Sequence, residues 1–199
     1  MSLSKVKQEI ERLGGVFPIP EGDFPVLDKE GISSLESKIG KTFPKVYRDF
    51  LSVFAGCSFN QYVLLKPRKN TAEYMHSESS GYANPILTET QIAYFYGSDK
   101  GTHPISWAYS TYFERIPNLC LPIASDGFGN QFIMSLQENA KGSIYLWDHE
   151  NEWDADDYEE ENEGEEMPDQ VKWQNMYLLA SDLQSFLKIY IFLKVSSAR

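Results

Sequence analysis

The chain has 199 residues, 42% of them hydrophobic and 14% aromatic, enough apolar material to bury a core in one domain or two small ones. Its net charge of −11 is concentrated: Asp148 to Asp169 holds thirteen Asp and Glu and no Lys or Arg. Removing those thirteen from the 29 acids leaves 16 against 18 bases, so one segment makes the molecule acidic and weighs against direct nucleic-acid binding.

No apolar run approaches the ~20 residues of a membrane span. MSLSKVKQEIERL lacks the apolar h-region of a signal peptide, which predicts a cytoplasmic protein with no membrane partner. Two cysteines, Cys57 and Cys120, with no CxxC pair, fit a reduced compartment and a structural role.

In chain order, Leu3, Val6, Ile10 and Leu13 repeat at helical spacing and stop at Gly14-Gly15. The Pro-spaced FPIPEGDFPVL that follows excludes regular helix. Ser33 with Glu36 reads as a capping box for a helix burying Ile32, Leu35 and Ile39, broken at Gly40. Pro44 opens the next helix in its first turn, with Val46, Tyr47, Phe50, Leu51 and Phe54 as the apolar stripe.

QYVLL, 61–65, predicts a strand, and the polar stretch from Pro67 to Asn84 a loop. TETQIAYFYG is strand-like, and ISWAYSTYFERI, 105–116, helical. Leu119, Leu121 and Ile123 alternate, then Phe132, Met134 and Leu136, then Tyr145 and Trp147 against Ile144 and Leu146. Three such strands with short loops predict an antiparallel meander. VKWQNMYLLA adds a strand, and SDLQSFLKIYIFLKV a closing helix with Ser181 and Gln184 as its capping box. The fold class is α+β, a single domain with a mostly antiparallel or mixed sheet packed against helices. Residues 1–30 form an N-terminal helix and lead-in, and 31–199 the main domain with an acidic insertion at about 148–169.

Three stretches invite a chemical reading. In SDGFGNQF, Asp126 and Asn130 sit where a calcium loop has ligands, but Phe128 and Gln131 occupy other required positions. A dinucleotide fingerprint needs a third glycine where Phe132 stands, followed by a helix. Asp126, Gly127, Phe128, Gly129 and Asn130 therefore read as a hairpin turn rather than a binding loop. HENEW, 149–153, starts like a zinc-protease motif but ends in Trp153, and the three histidines, His76, His103 and His149, lie in unrelated segments. No nucleophile elbow, phosphate loop or metal set stands out, so the expectation is a non-enzyme without metal or cofactor. The acidic run itself reads as a solvated loop extended by its own repulsion, as a weak divalent-cation sponge, or as a recognition strip for a basic partner. In the third reading the contact residues are Trp153, Asp154, Asp156, Asp157, Tyr158, Glu159, Glu160 and Glu161. Charge would speed encounter and the aromatics would supply short-range binding energy.

Five segments together resemble the SMI1/KNR4 family, also called the SUKH superfamily, over roughly residues 31–193. They are IGKTFPKVYRDFLSVFAG (39–56), FYG (95–97), LPIASDGFGNQFIMSL (121–136), GSIYLWDHENE (142–152) and YLLASDLQSFL (177–187). The resemblance implies an α+β binding domain in which Phe50, Leu51, Ile123, Trp147 and Phe186 are packing positions. It further implies an immunity protein that neutralises a polymorphic toxin, often a nuclease with a basic surface, by direct binding. The alternative it carries is a scaffold or regulator of cell-wall synthesis or signalling that holds a protein or peptide in the groove between helices and sheet. The chain departs from the family's pattern at Phe128 and Asn130, where a glycine and an acid are common, and in the length of its acidic insertion. A protein partner and a monomer or weak dimer are expected.

Overall fold

A computed structural model describes residues 2–65, 73–74 and 90–192. Helix α1 (Leu3–Arg12) buries Val6 and Ile10, with Leu13 just beyond it, against the main core. The lead-in opens as strand β1 (Val16–Pro18), paired antiparallel with β2 (Cys57–Phe59). Helix α2 (Lys29–Ile39) starts earlier than a Ser33 cap allows: Asp28 is the N-cap, its Oδ1 accepting from Gly31 N at 2.8 Å. Glu36 is diverted from the expected box, because its Oε1 accepts from Phe43 N at 2.6 Å. Pro44 caps helix α3 (Lys45–Leu51) from outside rather than sitting in its first turn. Val46, Tyr47, Phe50 and Leu51 are buried as the stripe requires.

Strand β3 (Val63–Leu65) agrees with its expected place. The loop expected from Pro67 to Asn84 lies outside the described residues, except that β4 (Glu73–Tyr74) is a strand. β5 (Tyr94–Phe95), helix α4 (Ile105–Tyr112), β6 (Cys120–Ser125), β7 (Gln131–Ser135) and β8 (Ile144–Trp147) follow, then helix α5 (Ala155–Glu161) and β9 (Met176–Ala180). Val171–Trp173, expected to begin that last strand, is instead a 3-10 turn. The main sheet is antiparallel throughout, in the order β4-β9-β8-β7-β6-β5, so the meander is continuous from β6 to β9.

The end of the chain departs from the expected long helix. Helix α6 (Leu183–Lys188) is capped by Asp182, whose Oδ1 accepts from Ser185 N at 2.7 Å, not by Ser181. It gives way to β10 (Tyr190–Phe192), which pairs antiparallel with β3. A backbone partner waiting in β3 overrides the helical reading of LKIYIF.

Both faces of the sheet are covered. Leu121, Ile123, Phe132, Met134, Ile144 and Leu146 join the helices in the main core, where Phe132 meets Phe186 edge-on at 5.2 Å. Cys120, Ile133, Tyr145, Trp147 and Met176 point the other way, under Ile116 and Trp173. Strands β7 and β8 are therefore buried at every position, not half-solvated as alternation alone implies. Leu119, expected in the alternating set, lies outside β6 with a positive φ of 59° and is 36% exposed. The result is an α+β fold whose second sheet face is roofed by Tyr112 and Ile116, at and after the end of α4, and by Trp173 in the 3-10 turn before β9.

Candidate functional site

The acidic segment leaves β8 through a fixed root. Asp148 is buried, accepting from Glu150 N at 3.1 Å and Asn151 Nδ2 at 2.6 Å, which closes a 3-10 turn over His149–Asn151. Its backbone is held by Asn175, whose Nδ2 donates to Asp148 O at 2.7 Å. Glu152 then pairs with Arg115, accepting from Nε at 2.8 Å and also from Nη2. The guanidinium lies 5.1 Å above the Trp147 ring and 5.3 Å from that of Tyr112, and its hydrogen bonds with Glu152 raise its already high pKa.

Beyond Glu152 the chain becomes helix α5 rather than an extended loop, a correction to the solvated-loop reading. Asp154 caps it, accepting from Asp156 N at 2.8 Å, and Asp156 and Asp157 in the first turn face the positive end of the helix dipole. Trp153 packs edge-on against Tyr158, centroids 5.0 Å apart, and both rings are partly exposed. Asp154, Asp156, Asp157, Glu159, Glu160 and Glu161 are all exposed. Among the described residues no ion pair reaches an α5 carboxylate. The segment returns through a buried Met167, and Asp169 accepts from Asn118 N at 2.7 Å.

The hairpin between β6 and β7 buttresses this root. Asp126 is buried, its Oδ1 accepting from Phe128 N at 2.7 Å and its Oδ2 from Asn130 Nδ2 at 2.8 Å. Gly127 and Gly129 carry φ of 84° and 118°, angles that side chains resist, and a Cβ on Gly129 would come within 2.6 Å of the His149 ring. Asn130 Oδ1 accepts from His149 N at 3.1 Å and lies 2.8 Å from its Nδ1. The loop turns the chain and fixes the start of the acidic segment, while Phe128 projects outward at 72% exposure.

The eight strip residues and the five hairpin residues thus sit at the two ends of one contact path, through Asn130, His149 and Glu152. Arg115 and Asn175 belong to the same path, and sequence reading missed both. No local spacing links position 115 to 152 or 175 to 148: the second pairing continues the β8–β9 ladder, and the first joins the chain after α4 to the turn after β8. His103 stacks on Tyr94 at 3.7 Å, and burial lowers its pKa. Among the described residues, no three His, Cys, Asp or Glu side chains group to hold a metal ion, and no helix is long and apolar enough to cross a membrane. Elsewhere, a cleft of about 310 Å³ opens between α2 and the loop before α4, floored by Leu27, Leu35 and Ile105 with Lys38 and Lys100 at its rim.

Comparison with known proteins adds two findings. A family model described as SMI1-KNR4 cell-wall matches residues 29–162. The SPbeta prophage-derived uncharacterized protein YokK of Bacillus subtilis (strain 168) is 31% identical over 155 residues, 75% of this chain and 75% of that protein.

Proposed function

The chain belongs to the SMI1-KNR4 cell-wall family, and from that premise we propose that it is a cytoplasmic, non-enzymatic immunity protein that binds and occludes a basic toxin domain. The observation that carries the reading is the α5 surface: six exposed carboxylates from Asp154 to Glu161, with no described ion pair consuming them, beside the Trp153–Tyr158 pair. An ordered acidic helix offers fixed carboxylates where a nuclease would hold substrate phosphates, and these accept charge-assisted hydrogen bonds donated by cationic groups of the toxin. The concentrated field steers encounter, and the half-exposed aromatics supply contact area that resists salt.

The test is capture from a lysate of the source organism at low and high salt, with the eluate identified by mass spectrometry. A basic toxin domain held at low salt and shed at high salt supports the proposal. A partner held equally at both favours the second reading, a scaffold or regulator that seats a peptide in the cleft floored by Leu27, Leu35 and Ile105. That cleft is the one observation in favour of the second reading, because an apolar floor with a polar rim suits a peptide better than it suits a charged surface.

A further inference from the structure

We propose that the second face of the main sheet is closed by a hinged cover, which opens as one unit while the main core stays folded. The cover joins two stretches far apart in sequence: the chain after α4, from Phe113 to Asn118, and the segment from Glu152 to Trp173. The inference goes beyond the binding role and does not depend on it.

Two ties make these stretches one body. Near the start of the second stretch, Glu152 accepts from Arg115 Nε at 2.8 Å and also from its Nη2. Towards its end, Asp169 accepts from Asn118 N at 2.7 Å. Both ends are therefore held by the same short run, Arg115 to Asn118. Ile116 lies between the two ties and Trp173 just past Asp169, and both pack with Ile133, Tyr145, Trp147 and Met176 of the sheet. That cluster is separate from the main core, so exposing it leaves the larger cluster under the helices intact.

Opening relieves three costs that closure imposes. Among the described residues, the non-glycine positions with positive φ are Leu119, where the first stretch meets β6, and Glu163, inside the second, both at 59°. Side chains resist that backbone conformation. Under the Arg115 guanidinium, which stands 5.1 Å from the Trp147 ring, Trp147 Nε1 is buried with no hydrogen-bond acceptor. An unpaired buried donor is costly, and opening gives it to water. Against these costs stands the Arg115–Glu152 pair, in which Arg115 is 44% exposed, so that water competes for it. Leu119 marks the hinge, because its carbonyl stays on the sheet, accepting from Leu136 N at 2.8 Å.

The test is native-state hydrogen exchange of the full-length chain, followed by NMR at low urea concentrations. The amides of Ile116, Val171 and Trp173 and the indole N–H of Trp147 should exchange through one shared opening. It should be populated on the order of a hundredfold more than the opening that exposes the Phe132 amide of β7. Arg115→Gln should speed exchange at Val171 and Trp173 by about tenfold, although their own bonds, to Pro168 O and Gln170 O, are untouched. Phe132 should change by less than about twofold. Arg115→Lys, which keeps the charge and loses the two-pronged bond, should fall between the two. Glu163→Gly, at an exposed position, should slow the shared opening by about threefold, because glycine accepts the positive φ. Exchange of the cover protons at the rate of Phe132 overturns the proposal, since cover and core then open together. An Arg115→Gln effect confined to Ile116, or a Glu163→Gly variant that opens no more slowly than the unaltered chain, overturns it as well.

Discussion

Replacing Asn130 with alanine tests whether the hairpin and the acidic segment are one structural unit. The side chain makes three contacts: Oδ1 with His149 N at 3.1 Å and with His149 Nδ1 at 2.8 Å, and Nδ2 with Asp126 Oδ2 at 2.8 Å. A typical intramolecular hydrogen bond contributes about 1 kcal/mol net, and the buried Asp126 carboxylate would lose one of its two described donors. Asn130 is itself only partly buried, so water replaces some of what is lost, and the expected destabilisation is about 2–3 kcal/mol. For a domain of this size each kcal/mol moves Tm by about 2–4 °C, so thermal unfolding should shift down by about 5–10 °C. Hydrogen exchange should also speed up at the His149 and Glu150 amides, which lie at the root of the segment. A Tm change under about 1 °C with unaltered protection at His149 would refute the claim that Asn130 joins the two parts.

Gly97→Ala should cost at least about 2–3 kcal/mol in urea unfolding, as overpacking does when nothing can move aside. Its Cβ would sit 2.7 Å from Gly56 Cα, 2.8 Å from Gly56 N and 3.0 Å from Pro25 O, all backbone atoms. A midpoint equal to that of the unaltered protein would contradict this packing. His103 should make stability pH-dependent, because burial lowers its pKa below the ordinary 6.5. The unfolded chain then binds the extra proton first, so stability is full above pH about 6.5 and is lost as pH falls through that value toward the folded pKa. His103→Gln should flatten that limb of a stability-versus-pH curve, and an unchanged slope would remove His103 as its source.

The parts of the fold legible in the sequence are those set by local pattern. Helix α1 follows its own spacing, and the β6–β7–β8 meander follows alternation and turn chemistry. The caps were harder, because neighbouring residues compete for the same role: Asp28 precedes Ser33, and Asp182 adjoins Ser181. Only the position of Phe43, which occupies Glu36, decides the first case. The β10 strand was hidden because its partner lies over a hundred residues earlier in β3. Repulsion among like charges argued for an extended acidic run, yet Asp154 as cap and Asp156 and Asp157 in the first turn favour a helix there. Composition alone picks out the strip residues. The Trp153–Tyr158 contact and the Arg115–Glu152 pair that anchors the strip needed the folded chain.

The most direct test of the central claim compares the unaltered protein with a variant carrying Asp154→Asn, Asp156→Asn, Asp157→Asn, Glu159→Gln, Glu160→Gln and Glu161→Gln. Both would be used to capture partners from the source lysate across a salt series, after circular dichroism shows both folded. The account predicts that a basic protein bound at low salt by the unaltered chain is lost from the variant. Any residual binding should have a flatter salt dependence, since the released charge is gone. Recovery of the same protein by the variant, with equal affinity and the same salt dependence, would contradict the account.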